Sequence, residues 1–130
     1  MAYSMGSQNK PGAEGYGNTL RHRSMAANQG ERLVLVYTTL VNQLMQAQGY
    51  MERHMWAAKG ETVGRCLEIF TCLQSSLDHD RGGAIADNLD ELYRYCMLRL
   101  LQATRSNEPA MIAEIVHLVK TLKSAWDEIV

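Results

Sequence analysis

Apolar residues recur along this chain with the spacing of helices, not strands. The sharpest case runs from about Ala84 to Ala103, where Ile85, Leu89, Leu92, Cys96 and Leu100 fall on one stripe. Tyr93, Met97 and Leu101 line a second stripe beside it. Together the two cover an arc of about 180°, where a core-facing helix needs roughly 100°. One stripe suffices to hold a fold. The surplus calls for a second partner, inside the chain or outside it.

The same pattern predicts three further helices. Asn28, with Glu31 three residues on, reads as a capping box that opens a helix running to about Lys59. Its core stripe is Leu33, Val36, Tyr37, Leu40, Leu44, Ala47, Met51 and Met55. Val34, Val41 and Met45 make a second seam on its flank. Lys59-Gly60 reads as the stop. From about Glu61 to Leu77 the pattern is a clean amphipath of Val63, Cys66, Leu67, Phe70, Leu73 and Leu77. Gly82-Gly83 breaks the chain and forms the tight corner before the Ala84 helix. Asn107 or Glu108 caps the last helix, with Pro109 in its first turn. Ile112, Ile115, Val116, Val119, Leu122 and Trp126 then face the core. Short connections favour antiparallel neighbours. The predicted architecture is all-α: an antiparallel up-down four-helix bundle over residues 28–130, with a flexible N-terminal tail over residues 1–27. In that tail Tyr3 and Tyr16 are the aromatic anchors, and the tail is expected to cover part of any client groove.

Composition narrows the function classes. The chain has 130 residues and a net charge of −1, which suits one domain with no basic footprint for nucleic acid. No apolar run approaches the roughly 18 residues of a membrane span. The N-terminus lacks an apolar secretory segment, so a cytoplasmic location is expected. Cys66, Cys72 and Cys96 are odd in number and form no C-x-x-C pair, which predicts reduced thiols and no zinc site. The eight methionines lean toward adaptable packing surfaces.

Candidate chemistry is sparse. Glu114 and His117 make one Glu-x-x-His pair, but a di-iron bundle needs two. Asp78, His79 and Asp80 read as turn and capping residues. No cofactor and no metal are expected. His117-Leu118-Val119-Lys120 partly resembles the H-x-L-K-G sequence of histidine phosphotransfer domains, with Val119 for leucine and Thr121 for glycine. That gives one alternative function, and a generic helical adaptor gives another.

A longer pattern points elsewhere. Leu77-Asp78, Gly82-Gly83, Ile85-Ala86, Asn88-Leu89, Leu92-Tyr93, Tyr95, Arg99-Leu100 and Ala103 together resemble the motif of the flagellar secretion chaperone family. Ala27, Asn28, Glu31, Leu35, Val36 and Tyr37 resemble the start of that family's first helix, and Leu118, Leu122 and Trp126 its closing positions. Gln29, Arg32 and Thr38-Thr39 depart from the pattern. The resemblance implies a non-catalytic chaperone that binds the disordered C-terminal segment of flagellin. It also implies prevention of early polymerisation and delivery to the flagellar type III export gate. A co-chaperone or regulator is a further expected partner, and the chaperone itself is expected to be a monomer or weak homodimer. The two surplus seams supply candidate walls for a client groove: Val34, Val41 and Met45 on the first helix, and Tyr93, Met97 and Leu101 on the third.

Overall fold

The computed structural model describes residues 16–129, with side chains over residues 29–128. Four helices follow in order: α1 (Tyr16–Glu52), α2 (Trp56–Ser75), α3 (His79–Ser106) and α4 (Pro109–Ile129). α1 packs against α2 and α4, and α3 also packs against α2 and α4. α1 and α3 therefore stand on one diagonal of an up-down bundle.

α1 begins before the predicted cap, so Asn28 lies inside the helix. The residues preceding it, Leu20, Arg21, Arg23, Met25, Ala26 and Ala27, are good helix formers, and adding turns to an existing helix costs little. α1 also ends earlier than Lys59. His54 turns left-handed, with φ 59°. Its N–H donates to the Met51 carbonyl (3.2 Å), and the Met55 N–H donates to the Tyr50 carbonyl (2.8 Å). That pair of bonds is a Schellman ending with His54 in the place usually held by glycine. Lys59-Gly60 is thus no stop, but part of the first turn and a half of α2. Met55, placed in the core stripe by periodicity, sits in the corner and is exposed.

The other corners follow the same logic. The Asp78 side chain accepts from the Arg81 N–H (3.1 Å) and opens α3 at His79, ahead of the Gly pair. Gly82 is helical, while Gly83 at φ 52°, ψ −125° kinks the helix. Ile85 lies two residues beyond that kink and is exposed rather than part of the core stripe. Asn107 ends α3 in the left-handed region at φ 52°, with the Glu108 N–H donating to the Ala103 carbonyl. Pro109 then starts α4, where its missing N–H costs nothing.

The core collects Leu33, Tyr37, Leu40, Leu44, Ala47 and Met51 from α1 with matching stripes from the other helices. Val36, predicted to face inward, lies on its edge and is exposed. Two polar features organise this core. Lys59 is buried: its ammonium donates to Asn107 Oδ1 (2.7 Å) and to the Thr104 carbonyl (3.3 Å), and it stands 4.8 Å from the centre of the Trp56 ring. A cation at the C-terminal end of α3 is favoured by the helix dipole. The second feature crosses the diagonal. The hydroxyls of Tyr37 on α1 and Tyr93 on α3 lie 2.6 Å apart, fully buried.

Replacing Tyr37 by Phe removes one of two mutually bonded buried hydroxyls and should destabilise the fold by about 1–3 kcal/mol. The double change with Tyr93→Phe should cost less than the sum of the two single changes, measured by urea unfolding. Gly83→Ala meets no neighbouring atom within 4 Å, so its cost comes from the backbone alone. It should lose about 1–3 kcal/mol in the same assay, whereas Gly82→Ala should lose little.

Candidate functional site

Side-chain contacts tell which flank of each helix faces which neighbour. Arg65 on α2 donates to Gln43 on α1 (3.0 Å), so that flank of α1 faces α2. Val34, Val41 and Met45 lie on the opposite flank, toward α4. On α3, Asp90 accepts from Gln74 of α2 (2.9 Å), and the Met97 sulfur lies 3.8 Å from the Thr71 hydroxyl of α2. Met97 and Leu101 therefore flank α2. The two surplus seams are on opposite corners of the bundle and do not face each other across one groove.

Their burial divides them further. Val41 and Tyr93 are core residues, and Tyr93 is fully enclosed with its hydroxyl bonded to Tyr37. Val34 and Met97 are partly buried against the core. Met45, 50% exposed, and Leu101, 43% exposed, remain open to solvent. Leu35, Trp56, Tyr95 and Leu98 are exposed as well and were not marked by the stripe pattern. Leu98 and Leu35 point away from their own helices' core stripes, where periodicity gives no reason to look. Of the tail anchors, Tyr3 lies outside the described residues, and Tyr16 is described only as the first residue of α1.

α3 and α4 meet through a polar cluster that no periodicity or motif in the sequence assembles. The Tyr95 hydroxyl donates to Glu114 Oε2 (2.8 Å), and Arg99 Nε donates to Glu114 Oε1 (2.7 Å). Both oxygens of one α4 carboxylate are held by α3. The Arg99 bond, then the Tyr95 bond, pull the Glu114 carboxyl below its ordinary range. The same bonds raise Arg99 and Tyr95, because each loses its partner if it gives up its proton. Glu114 is thus an interhelical tie rather than a simple solvated residue. His117, its partner in the Glu-x-x-His spacing, is exposed on α4 with Lys120, while Val119 between them is buried.

The thiols divide by burial. Desolvation pushes Cys66 and Cys96 up to about 12, which keeps both protonated and unreactive at neutral pH. Cys72 is exposed. Asp78 caps α3, and His79 Nδ1 lies 2.8 Å from Asp87 Oδ1, so the Asp-His-Asp stretch serves the corner and the kinked first turn. Among the described residues no group of three His, Cys, Asp or Glu side chains could hold a metal ion. None of the described helices is long and apolar enough to cross a membrane.

The residues that make these corners and ties are those of the long motif. Leu77 is buried, Asp78 caps, Gly83 kinks, and Ala86, Leu89, Tyr93, Leu100 and Ala103 fill the core. The family model described as "Flagellar protein FliS" matches residues 12–130. The chain belongs to the FliS family. It is 38% identical over 103 residues to the flagellar secretion chaperone FliSB of Pseudomonas aeruginosa, covering 79% of this chain and 82% of that one. It is 33% identical over 104 residues to the flagellar secretion chaperone FliS of Vibrio cholerae, covering 80% and 76%. It is also 33% identical over 106 residues to FliS of Salmonella typhimurium, covering 81% and 78%. In this FliS-family bundle the motif's Tyr95 and Arg99 have a structural role, as the α3 half of the Glu114 tie.

The tie carries a pH dependence. A carboxylate held below its ordinary value stabilises the fold above the unfolded value of 4.5, and that contribution is lost as pH falls through the folded value. Arg99→Met should move the Glu114 titration back up toward 4.5, read by carboxyl NMR shifts. The variant should also lose less stability than the parent protein on acidification from neutral pH.

Proposed function

We propose that this FliS-family protein is a cytoplasmic export chaperone for flagellin. It holds the disordered C-terminal segment of flagellin, prevents premature polymerisation and aids delivery to the flagellar type III export gate. Family membership supports the chaperone class. The observation that supports a wrapping client is the distribution of exposed apolar side chains. Met45 lies on the α1/α4 side, while Leu98 and Leu101 lie on α3 toward its α2 side and outer face. A rigid partner helix could cover one of these places. A disordered chain can reach both, and burying a large surface offsets its ordering cost. Methionine at such positions adapts to different apolar side chains.

The surface proposed for the client therefore includes Met45 and Leu101, flanked by the partly buried Val34 and Met97. Val41 and Tyr93 act from beneath by supporting the helices that carry it. No observation favours phosphotransfer through His117. The adaptor reading differs in predicting no preference for flagellin.

Titration calorimetry with a flagellin C-terminal peptide should show binding tighter than about 50 μM, a free energy near −6 kcal/mol. Met45→Glu and Leu101→Glu should each weaken it by about tenfold, or 1.4 kcal/mol, with helicity by circular dichroism unchanged. Absence of binding by the unaltered protein would overturn the flagellin assignment.

A further inference from the structure

The bundle leaves one face of α3 uncovered. α3 touches only α2 and α4, so the side turned away from α1 looks outward. Glu91, Leu98 and Arg105 run along that side, seven residues apart and therefore within about 20° of one line. All three are exposed. Tyr95 flanks the line on the α4 side and Leu101 on the α2 side, and both are exposed as well.

The polar groups of this face divide in two. Asp87 lies 2.8 Å from His79, and Arg94 lies 3.6 Å from Asp90, so those charges are taken up within the helix. Gln102 accepts from Arg99 (3.3 Å). Glu91 and Arg105 make no salt bridge among the described residues. They stand at the two ends of the line with Leu98 midway. That order of acid, leucine and base is its own complement when reversed. A second copy laid antiparallel, with Leu98 against Leu98, brings each Glu91 level with Arg105 of the other copy. Parallel pairing instead sets like charges opposite each other at both ends, which is repulsive. A wholly acidic or wholly basic partner matches one end only. A twofold contact needs one self-complementary patch, and this line is one.

We propose that the outer face of α3 is a docking surface for a second copy of this chain, paired antiparallel about Leu98 and bridged by Glu91 and Arg105 at both ends. In the pair, Leu98 and Leu101 of both copies meet on the α2 side, and the Tyr95 rings flank them on the α4 side. The Tyr95 hydroxyl stays on Glu114, so pairing leaves the interhelical tie intact. The face from Glu91 to Arg105 is only about 21 Å long, so the contact is small and the dimer weak and reversible. Leu101 also belongs to the surface proposed for the client. On the chaperone reading above, the pair covers Leu98 and Leu101 while no client is present, and the client displaces the second copy. The pairing itself does not rest on that reading.

Sedimentation equilibrium on the full chain tests the pairing. A reversible dimer should form with Kd below about 1 mM and weaken several-fold on raising salt to about 0.5 M, because exposed charges are screened. Leu98→Glu should abolish it. Glu91→Arg and Arg105→Glu should each weaken it by about tenfold. The double change, which reverses both bridges, should restore it to within about threefold of the unaltered protein. Helicity by circular dichroism should be unchanged in all of them, because none of these positions is buried. A chain that stays monomeric overturns the proposal and leaves the face to the client or another protein. So does a dimer that survives Leu98→Glu, or a double variant no stronger than the single ones. If a variant fails to fold, the unaltered protein decides, and a dimer indifferent to salt overturns the bridges. A flagellin C-terminal peptide provides the second arm and should convert dimer into monomer–peptide complex. Peptide bound to an intact dimer overturns displacement and leaves the pairing standing. If the peptide does not bind at all, the flagellin assignment falls and displacement with it, while sedimentation still judges the pairing.

Discussion

The bundle depends on a hydrogen bond between two helices whose backbones do not touch. α1 and α3 sit on the diagonal, so no close helix packing sets their heights relative to each other. Tyr37 and Tyr93 do it instead, with buried hydroxyls 2.6 Å apart. A buried hydroxyl away from its partner is costly, and a slip of α3 by one turn would separate these two by about 5 Å. The pair thus fixes the diagonal, and α2 and α4 fill the remaining corners with largely apolar stripes, Lys59 and Thr62 of α2 being the buried polar side chains among them. Phe70 stacks tilted against Tyr93 at 6.3 Å, which ties α2 to the same point. This explains why Tyr93, for all its place in a surplus stripe, cannot serve as an open wall.

The number of helices, their core stripes and their antiparallel order were legible in the sequence. Periodicity reports burial averaged over several turns, and those averages were right for Leu40, Leu44, Phe70, Leu100 and Ile115, each fully enclosed. The ends were less legible. The α1 ending is made from backbone bonds around a left-handed histidine, and no side-chain code announces it. Lys59-Gly60 looked like a stop because lysine and glycine favour helix ends. In the fold that lysine caps the end of a different helix, α3. The preference was correct and its address was not. Asp78 is the contrasting case, because its capping bond is local in sequence and could be foreseen.

The candidate surface was legible only by helix. A helical wheel says which residues share a flank, but not which neighbour stands beside it. Each of the seams on α1 and α3 mixes core with flank: Val41 and Tyr93 are buried, whereas Met45 and Leu101 are exposed. Joining them into one groove required the circular order of the bundle, which periodicity does not contain. Once α1 and α3 are diagonal, their seams fall on opposite corners. The Glu114 tie escaped for a related reason. Tyr95 and Arg99 are an i, i+4 pair on a polar flank, a common arrangement, and their partner is fixed only by the α3/α4 register.

A chaperone faces two opposed demands. It must remain folded while it keeps apolar surface open, and every apolar side chain left outside is stability forgone at about 25 cal/mol per Å². The structure separates those demands by helix. α1 and α4 pack most closely and hold the fold, with Ile112, Ile115 and Val119 fully buried opposite the α1 stripe. α3 carries exposed Leu98 and Leu101 and is lightly packed in return. Tight packing of α3 would need those flanks turned inward, where the bundle has no fifth helix to receive them. The polar attachments at Lys59, Glu114 and Tyr37 are then the means by which a lightly packed helix keeps a unique position. Directional bonds supply specificity of place where apolar contact supplies too little of it. That the long motif of the family falls on this helix, and includes Tyr93, Tyr95 and Arg99 among its polar-tipped residues, follows from the same division.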